Sequence, residues 1–500
     1  MARGYISTLV CAAICGLSAT LSLMPNLGCG TSGNSQTKNP PPLLRRLSTD
    51  QFSNTTSQHA TEVEPSIAGF GSTLVAAFQM GRFFDGGASG IGFATSNDNG
   101  ANWQDGLLPG MTVFAGGIYN GVSDPSVAYD QAHGTWLIGS LAIFGTTDRA
   151  VVSRSQDGLN WNDPIAVSKT RDVDKPWITC DNSQSSPYYG HCYMAWDDPS
   201  MNGLIWVSTS ADGGQNWSPA STAGDSATGI GGVPVVQPNG TVIVPASDDS
   251  GERMIAFTSG DGGLTWSSTV IISSISDHLV AGNLRNLALP MSAIDATGLV
   301  YVVWPDCRFR TACSSNDIIM STSSDGITWT QPVQLPIDAV SSTVDHFLPA
   351  IAVDPVTGGG SAHLALVYHY YPTANCTELT CSLNIAYVTS QDSGASWSAP
   401  TVLAGPITLD WLANTNLGRM VGDYIGVTYS SENSFPAIAV ARRTTTAAFD
   451  EAIYTTTDPL IQRLAVAAVG REQPVQRAHS DHPPRQFYDL EGRYPRKPLY

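Results

Sequence analysis

A turn motif of the form Ser-x-Asp-(x)-Gly-x-x-Trp recurs six times in the 500-residue chain and constrains its fold more than any other feature. Asp and Ser side chains accept hydrogen bonds from nearby backbone N–H groups, and Gly supplies the positive φ that a tight hairpin turn needs. The Trp begins the next strand and closes the apolar layer beside the turn. The motif therefore predicts a folding device and not a catalytic group. The copies are Ser96–Trp103, Ser155–Trp161, Ser210–Trp217, Ser259–Trp266, Ser323–Trp329 and Ser390–Trp397.

Each copy belongs to a module whose first strand is apolar and is introduced by a proline. A proline at the first position of a strand costs no ladder hydrogen bond. A second and a third apolar strand lead into the turn, and a fourth follows the Trp. Four strands per repeat at this period predict a β-propeller blade. The opening prolines are Pro65, Pro125, Pro176, Pro234, Pro290 and Pro349, with separations of 60, 51, 58, 56 and 59 residues.

A further unit without a proper motif follows the sixth copy. Residues 422–427, 435–440 and 452–456 have the pattern of its first three strands. We expect its fourth strand from the N-terminal side, near residues 43–60, because that pairing closes the ring and removes free edges. The sequence thus predicts an all-β propeller of four-stranded antiparallel blades over residues 61–462. Seven blades are favoured, with six as the alternative.

The repeated motif resembles the Asp-box, or bacterial neuraminidase repeat, of sialidases and related β-propellers. The resemblance covers about residues 60 to 460. In that family the boxes lie at the outer turn between the third and fourth strands of a blade, away from the central site. Sialidases have six blades, so a count of seven departs from the family's enzymes. The resemblance implies the fold and a function that involves glycans.

Composition and the N-terminal segment indicate an exported protein. Only 13% of residues are charged and the formal net charge is −18, which argues against nucleic acid and against anionic membranes as partners. Residues 1–28 have the pattern of a signal peptide, with Arg3 before an apolar run that breaks at Pro25; a transmembrane anchor is the alternative. Cys29 lies where a bacterial lipoprotein carries its lipid. Residues 29–60 have the composition of a flexible tether, and residues 463–500 that of a disordered basic tail with prolines.

Beyond Cys11 and Cys15 of the N-terminal apolar segment the chain has seven cysteines. Six of these seven lie in close pairs, as expected for an oxidising compartment. We predict disulfides and no metal site, since no CxxC spacing or clustered His accompanies them. The leftover Cys29 suits lipidation. The predicted pairs are Cys180 with Cys192, Cys307 with Cys313, and Cys376 with Cys381.

The inner strands of a propeller begin at one mouth of its central channel, so residues just before them are the candidates for a site. Several carboxylates there could form acid–base pairs or bind Ca²⁺ through oxygen ligands, and no other cofactor is expected. The plainer alternative is that they hydrogen-bond neighbouring blades. The candidates are Glu64, Asp124, Asp174, Lys175, Asp345, His346, Asp423 and Tyr424.

The resemblance to sialidases implies sharper roles. Three arginines of the family bind the substrate carboxylate, which Arg82, Arg308 and Arg419 would do here. Tyr424 would be the nucleophile, with Asp124 or Asp174 as the acid. The sequence departs from the family at the first strand, where Glu64-Pro65-Ser66-Ile67 replaces Phe/Tyr-Arg-Ile-Pro, and no Glu is evident as the partner of Tyr424.

Two functions follow from these patterns. The first is an exported sialidase-like glycoside hydrolase that acts on an extracellular glycan or glycoprotein. The second is a non-catalytic surface propeller, monomeric, that binds a glycan or a protein at the mouth of its channel. A fold does not decide between them, but a carboxylate in place of the first Arg disfavours the binding of sialic acid.

Overall fold

The computed structural model describes residues 42–145, 147–168, 172–445 and 448–460, which fold almost entirely into antiparallel β-sheet. The first strands are β1 (Leu44–Arg46), β2 (Glu62–Phe70), β3 (Thr73–Arg82), β4 (Ala88–Ser96) and β5 (Gln104–Leu107). They are followed by β6 (Gly121–Asp130), β7 (Thr135–Phe144), β8 (Thr147–Ser155) and β9 (Ile165–Ala166). Next come β10 (Asp174–Cys180), β11 (Cys192–Asp198), β12 (Leu204–Ser210) and β13 (Ser221–Thr222).

The second half of the chain continues the pattern. It contains β14 (Gly229–Ile230), β15 (Val235–Val236), β16 (Val242–Asp248), β17 (Arg253–Ser259) and β18 (Val270–Ser274). It goes on with β19 (Met291–Ile294), β20 (Val300–Asp306), β21 (Asp317–Ser323), β22 (Val333–Gln334), β23 (Asp345–Val353), β24 (Leu364–Tyr371), β25 (Ser382–Ser390) and β26 (Thr401–Thr408). It ends with β27 (Ala413–Thr415), β28 (Gly418–Met420), β29 (Gly426–Ser430), β30 (Asn433–Ala441) and β31 (Glu451–Thr456).

Consecutive strands pair into four-stranded sheets in chain order. Five such groups are β2–β5, β6–β9, β10–β13, β19–β22 and β23–β26. Between β13 and β19 lies a further sheet, in which β14 and β15 both pair with β16, and β17 and β18 follow. Ala88 and Val122 form one bridge between the first two groups, and β27–β28 is a separate hairpin. In the part of the chain that the structure describes, helix is limited to 3₁₀ turns at Val113–Ala115, Pro199–Met201, Thr311–Cys313, Gly359–Ser361 and Leu409–Trp411.

The first strands of successive sheets contact one another and return to the start. The strand pairs in contact are β2 with β6, β6 with β10, β10 with β15, β15 with β19, β19 with β23, β23 with β29, and β29 with β2. The hydrophobic core lies between neighbouring sheets: Val75 and Ile91 of the first sheet, for example, share a cluster with Trp136 and Ile138 of the second.

The repeated turns have the predicted hydrogen bonds, as the copy at Ser210–Trp217 illustrates. The Oγ of Ser210 accepts from the backbone N–H of Gly214 at 2.9 Å, and Oδ1 of Asp212 accepts from that of Asn216 at 2.9 Å. The Trp217 indole N–H donates to the Gly214 carbonyl at 3.1 Å. The hydrogen bonds to Asp212 outweigh its partial burial and lower its pKa. In this copy the side chains of Ser210, Asp212 and Trp217 are thus all hydrogen-bonded within the turn, as a folding device requires.

The last sheet is completed from the N-terminal side, as expected. Strand β1 pairs with β31, in the order β1-β31-β30-β29. The Oγ of Ser48 accepts from the Ile453 backbone N–H at 2.9 Å and donates to Oε2 of Glu62 at 3.0 Å. Ordered sheet therefore extends into the segment 29–60, whose composition predicts a tether.

Three disulfides join the predicted cysteines: Cys180 with Cys192, Cys307 with Cys313, and Cys376 with Cys381. They are typical of a protein from an oxidising, extracellular compartment. The predicted signal peptide 1–28, Cys29 and the tail 463–500 lie outside the described residues. Among the residues that are described, no helix has the length and apolarity to span a membrane.

His369 in β24 is fully buried, and burial lowers its pKa from 6.5 to about 3. As the pH falls, His369 is therefore protonated in the unfolded chain before it is protonated in the folded protein. The free energy of unfolding consequently falls as the pH drops below 6.5. At about 1.4 kcal/mol per pH unit, the loss is about 2 kcal/mol at pH 5.

We expect His369→Leu to remove this part of the pH dependence. The measurement is urea unfolding of the variant and the wild type at pH 7 and pH 5. His363→Leu, at a residue that is only partly buried, is the control. An equal acid sensitivity of His369→Leu and the wild type would contradict the prediction.

Candidate functional site

Four of the first strands carry the same irregularity just before their proline. Glu64, Asp124, Lys175 and Leu348 have φ values of 60°, 50°, 49° and 47°, a left-handed conformation that is uncommon for residues other than Gly. At each of them the pairing with the second strand shifts register. The repeated bulge re-aims one side chain per strand, and bulges of this kind are frequent beside functional sites.

The ammonium group of Lys175 is the centre of a buried ion network. Its Nζ lies 3.1 Å from Oδ1 of Asp124, 2.7 Å from Oδ2 of Asp423 and 3.6 Å from Oδ1 of Asp174. The side chain of Lys175 is 3% exposed, and the three carboxylates are buried with it. The structure thus brings four of the predicted site residues together, and it joins them to one another.

Arg285 is the residue of this network that the sequence did not identify. Its Nε and Nη2 form two hydrogen bonds with the carboxylate of Asp423, at 2.7 and 2.5 Å, and its side chain is 2% exposed. Its position in the sequence could have indicated it, because Arg285 lies shortly before Pro290 and β19, the first strand of the fifth sheet. The residue directly before that proline is the apolar Leu289, however, so no site residue was predicted there.

Glu64 extends the network towards the first sheet. Its Oε1 accepts from the backbone N–H of Asp423 at 3.0 Å, and its Oε2 accepts from the Gln79 amide. The Gln79 Oε1 in turn accepts from Nη1 of Arg82 at 3.0 Å. Arg82 is fully buried and also donates to the Gly87 carbonyl at 3.1 Å, so its guanidinium is part of the interior.

Opposite charges fix the ionisation of this network. Burial opposes the charge of Lys175, but the carboxylates of Asp124, Asp174, Asp423 and Glu64 together hold its pKa well above the usual value. Burial likewise opposes the charge of Asp423, but Arg285 and Lys175 hold its pKa well below its usual range. A catalytic acid or base works best with a pKa near the working pH. Neither group meets that requirement.

Tyr424 is buried beside the network. Its hydroxyl donates to the backbone carbonyl of Pro125 at 2.9 Å, and its ring packs edge-to-face on Trp177 with 5.0 Å between centroids. These contacts anchor the ring and give the hydroxyl a structural partner.

The other two predicted arginines lie elsewhere and have their own partners. Arg308 forms two hydrogen bonds with the carboxylate of Asp306, at 2.9 and 2.7 Å, beside the disulfide of Cys307. The Nε of Arg419 lies 3.6 Å from Oε1 of Glu378. Arg82, Arg308 and Arg419 thus contact different groups: Gln79 and Gly87, Asp306, and Glu378, respectively.

Asp345 and His346 belong to a second polar cluster, at the sixth sheet. Oδ1 of Asp345 accepts from the Asn316 backbone N–H at 2.6 Å. His346 is buried, which lowers its pKa, and its Nε2 lies 3.9 Å from Oδ2 of Asp338. Asp345 and His346 lie apart from the central network because of the bulge in β23. In that bulge the residue directly before the proline, the position that Glu64 holds in β2, is Leu348.

Three side chains of this second cluster have the spacing of cation ligands. Ligand atoms of Asp317, Asp338 and His346 lie within 4.8 Å of one another. The Arg310 guanidinium, however, binds both carboxylates, with 2.6 Å from its Nη2 to Oδ1 of Asp338. The cluster is therefore built as a buried ion pair, and the donor set does not fit Ca²⁺, which prefers six to eight oxygen ligands.

Comparisons with known proteins identify the repeat. Residues 188–348 match the family model described as BNR repeat-like domain, which confirms the predicted resemblance to sialidase-like BNR-repeat proteins. No curated protein matches the chain in sequence.

Solved structures resemble the chain at low identity. A Hadza microbial sialidase is 15% identical, with 80% of this chain and 66% of that chain covered and a TM-score of 0.42. The Trypanosoma rangeli sialidase is 13% identical, with 83% and 58% covered and a TM-score of 0.42. An α-L-arabinofuranosidase from Fusarium graminearum is 13% identical, with 69% and 98% covered and a TM-score of 0.42. The chain thus spans less than two thirds of either sialidase, and likeness at this level identifies no activity.

Proposed function

We propose that this chain is a seven-bladed β-propeller of the BNR-repeat type that binds extracellular glycans at its central channel without hydrolysing them. The blade count is supported by the contacts of the first strands, which run from β2 through β29 and back to β2. The pairing of β1 with β31 supports a ring closed by the two ends of the chain. The glycan class rests on the resemblance of the repeated turns to sialidase Asp-boxes.

One observation carries the non-catalytic part of the proposal: the groups that hydrolysis needs are bound to each other. Lys175 and Arg285 are held by Asp423, and Asp124 is held by Lys175. The hydroxyl of Tyr424 donates to a backbone carbonyl. Releasing any of these groups for substrate would leave a buried charge without its partner, at a cost of several kcal/mol.

Turnover of a fluorogenic sialoside by the purified protein tests the proposal against the hydrolase alternative. We expect no release of fluorophore by the wild type, by Tyr424→Phe or by Arg308→Ala. The same protein, labelled, is expected to bind glycans on an array. Turnover that Tyr424→Phe abolishes would support the sialidase-like hydrolase instead, and an array without any bound glycan would contradict the binding function.

We also propose that the protein is exported and carries a lipid on Cys29. The three disulfides support export, and the position of Cys29 after an apolar segment supports lipidation. Mass spectrometry of the protein extracted from membranes should find an N-terminal Cys29 with a lipid mass. An unmodified thiol at that position would contradict the lipid anchor.

A further inference from the structure

A chamber of about 270 Å³ runs along the first strands beyond the ion network. Its lining comes from the first strands of all the sheets, including Ala68, Tyr129, Thr179, Ser292 and Thr428. At about 30 Å³ per water molecule it has room for about nine waters. Sites for drug-sized ligands have about 300–1,000 Å³, so this chamber suits a single sugar ring and not a peptide or a long oligosaccharide.

One end of the chamber is lined by an aromatic residue that packs on a buried neighbour. Trp177, Val233 and Met291 line both the chamber and a much smaller space that borders Lys175 and Tyr424. The ring of Trp177 packs against Tyr424, whose hydroxyl is anchored on Pro125. Trp177 therefore presents a fixed aromatic surface to the chamber, the kind of surface on which the apolar face of a sugar ring packs.

The walls next to this surface carry polar groups that the fold does not use. Among the described residues, the hydroxyls of Thr179 and Thr428 and the indole N–H of Trp177 have no protein partner, whereas Ser292 donates to the Val233 carbonyl. Placed polar groups beside apolar and aromatic side chains are typical of a small-molecule site. Hydroxyls both donate and accept, which suits a ligand that is itself rich in hydroxyls.

Among the described residues that line the chamber, none is Asp, Glu, Lys, Arg or His. A charged ligand buried there would lose its hydration without gaining a counter-charge, which costs far more than the burial of a hydroxyl. The chemistry of the chamber thus excludes sialic acid and sugar phosphates, and it favours a neutral sugar.

We propose that this chamber binds one neutral monosaccharide unit, stacked on Trp177 and hydrogen-bonded by Thr179 and Thr428. The proposal rests on the glycan-binding function and names its site and its ligand class. It places the ligand along the first strands and not at the Lys175 network, where the first strands begin. Tyr424 then acts as a positioning residue for Trp177.

The test is isothermal titration calorimetry of the whole protein with D-glucose, D-galactose, D-mannose, N-acetyl-D-glucosamine and sialic acid. We expect one or more of the neutral sugars to bind and sialic acid not to bind. The double variant Thr179→Val/Thr428→Val removes two hydroxyls at nearly constant shape, and it should weaken binding about tenfold or more. Thr401→Val, on a strand that does not line the chamber, is the matched control and should bind as the wild type does.

A second variant, Trp177→Leu, should abolish sugar binding, with its fold checked by circular dichroism. The double variant Thr179→Val/Thr428→Val and its control Thr401→Val keep the test valid if Trp177→Leu does not fold. Glycan binding on the array that Thr179→Val/Thr428→Val leaves unchanged would overturn the chamber as the site while the binding function stands. The absence of binding to every neutral sugar and every array glycan would overturn both.

Discussion

Replacing Lys175 with Met is expected to lower the free energy of unfolding by about 3–5 kcal/mol, the loss typical of a broken buried ion pair. The ammonium group lies within 3.1 Å of both Asp124 and Asp423, and it is their shared counter-charge. Its removal takes from Asp124, Asp174 and Asp423 the cation that they share in the interior. The measurement is urea unfolding at pH 7, followed by far-UV circular dichroism.

A companion variant separates lost charge from lost packing. In Lys175→Met/Asp124→Asn one of the two carboxylates within 3.1 Å of the missing cation is neutral, so part of the stability should return. A variant at an exposed cation, Arg443→Met, is the control for the loss of one positive charge. If Lys175→Met lowers stability by less than about 1 kcal/mol, the network does not stabilise the fold as its geometry implies.

The sheets could be predicted because their signals are local. A proline marks the first strand and an Asp-box follows the third, so each module contains its own markers. The strands β2, β6 and β23 nevertheless begin three to four residues before their prolines. The disulfides could be predicted for the same reason, since each pair closes a short loop. The fourth strands were less predictable: β13 (Ser221–Thr222) begins four residues after Trp217, because the Trp side chain closes the turn instead of starting the strand.

The candidate site was predictable in part. The expectation that residues near the starts of the first strands lie together grouped Asp124, Asp174, Lys175 and Asp423, which the structure brings into one network. The structure places Asp124 inside β6, and Asp174 and Lys175 inside β10, and not before these strands. The expectation did not reveal that they neutralise one another, because the pairing depends on distances between strands that are far apart in sequence.

The bulges set a second limit on prediction from sequence. A shift of register exchanges which residue faces the axis. In β23 the bulge places Leu348 at the position that faces the axis. Asp345 therefore contacts Asn316, and His346 lies beside Asp338. Arg285 was missed for the converse reason, since it reaches the axis from a loop outside any strand.

Glu62→Gln is expected to stabilise the protein at neutral pH by about 3 kcal/mol. Glu62 is buried where the first and last sheets meet, and its pKa is raised to about 8 by burial, despite the hydrogen bond from Ser48 and the nearby Arg46. Glu451, on the neighbouring strand, is also buried and has a pKa well above its usual value. Its backbone N–H donates to the Ala60 carbonyl at 2.9 Å, which brings the two carboxyl groups to the same junction.

The folded state keeps Glu62 protonated up to about pH 8, whereas the unfolded chain releases the proton near pH 4.5. The stability of the wild type therefore falls as the pH rises from 4.5 to 8, by about 1.4 kcal/mol per unit. Gln cannot ionise and still accepts from Ser48, so the gain of Glu62→Gln should be near zero at pH 4.5 and largest at pH 8. Urea unfolding across this range measures it, with the exposed Glu252→Gln as control. A gain that does not change with pH would show that Glu62 is charged in the folded protein, and that Arg46, at 3.6 Å, compensates for its burial.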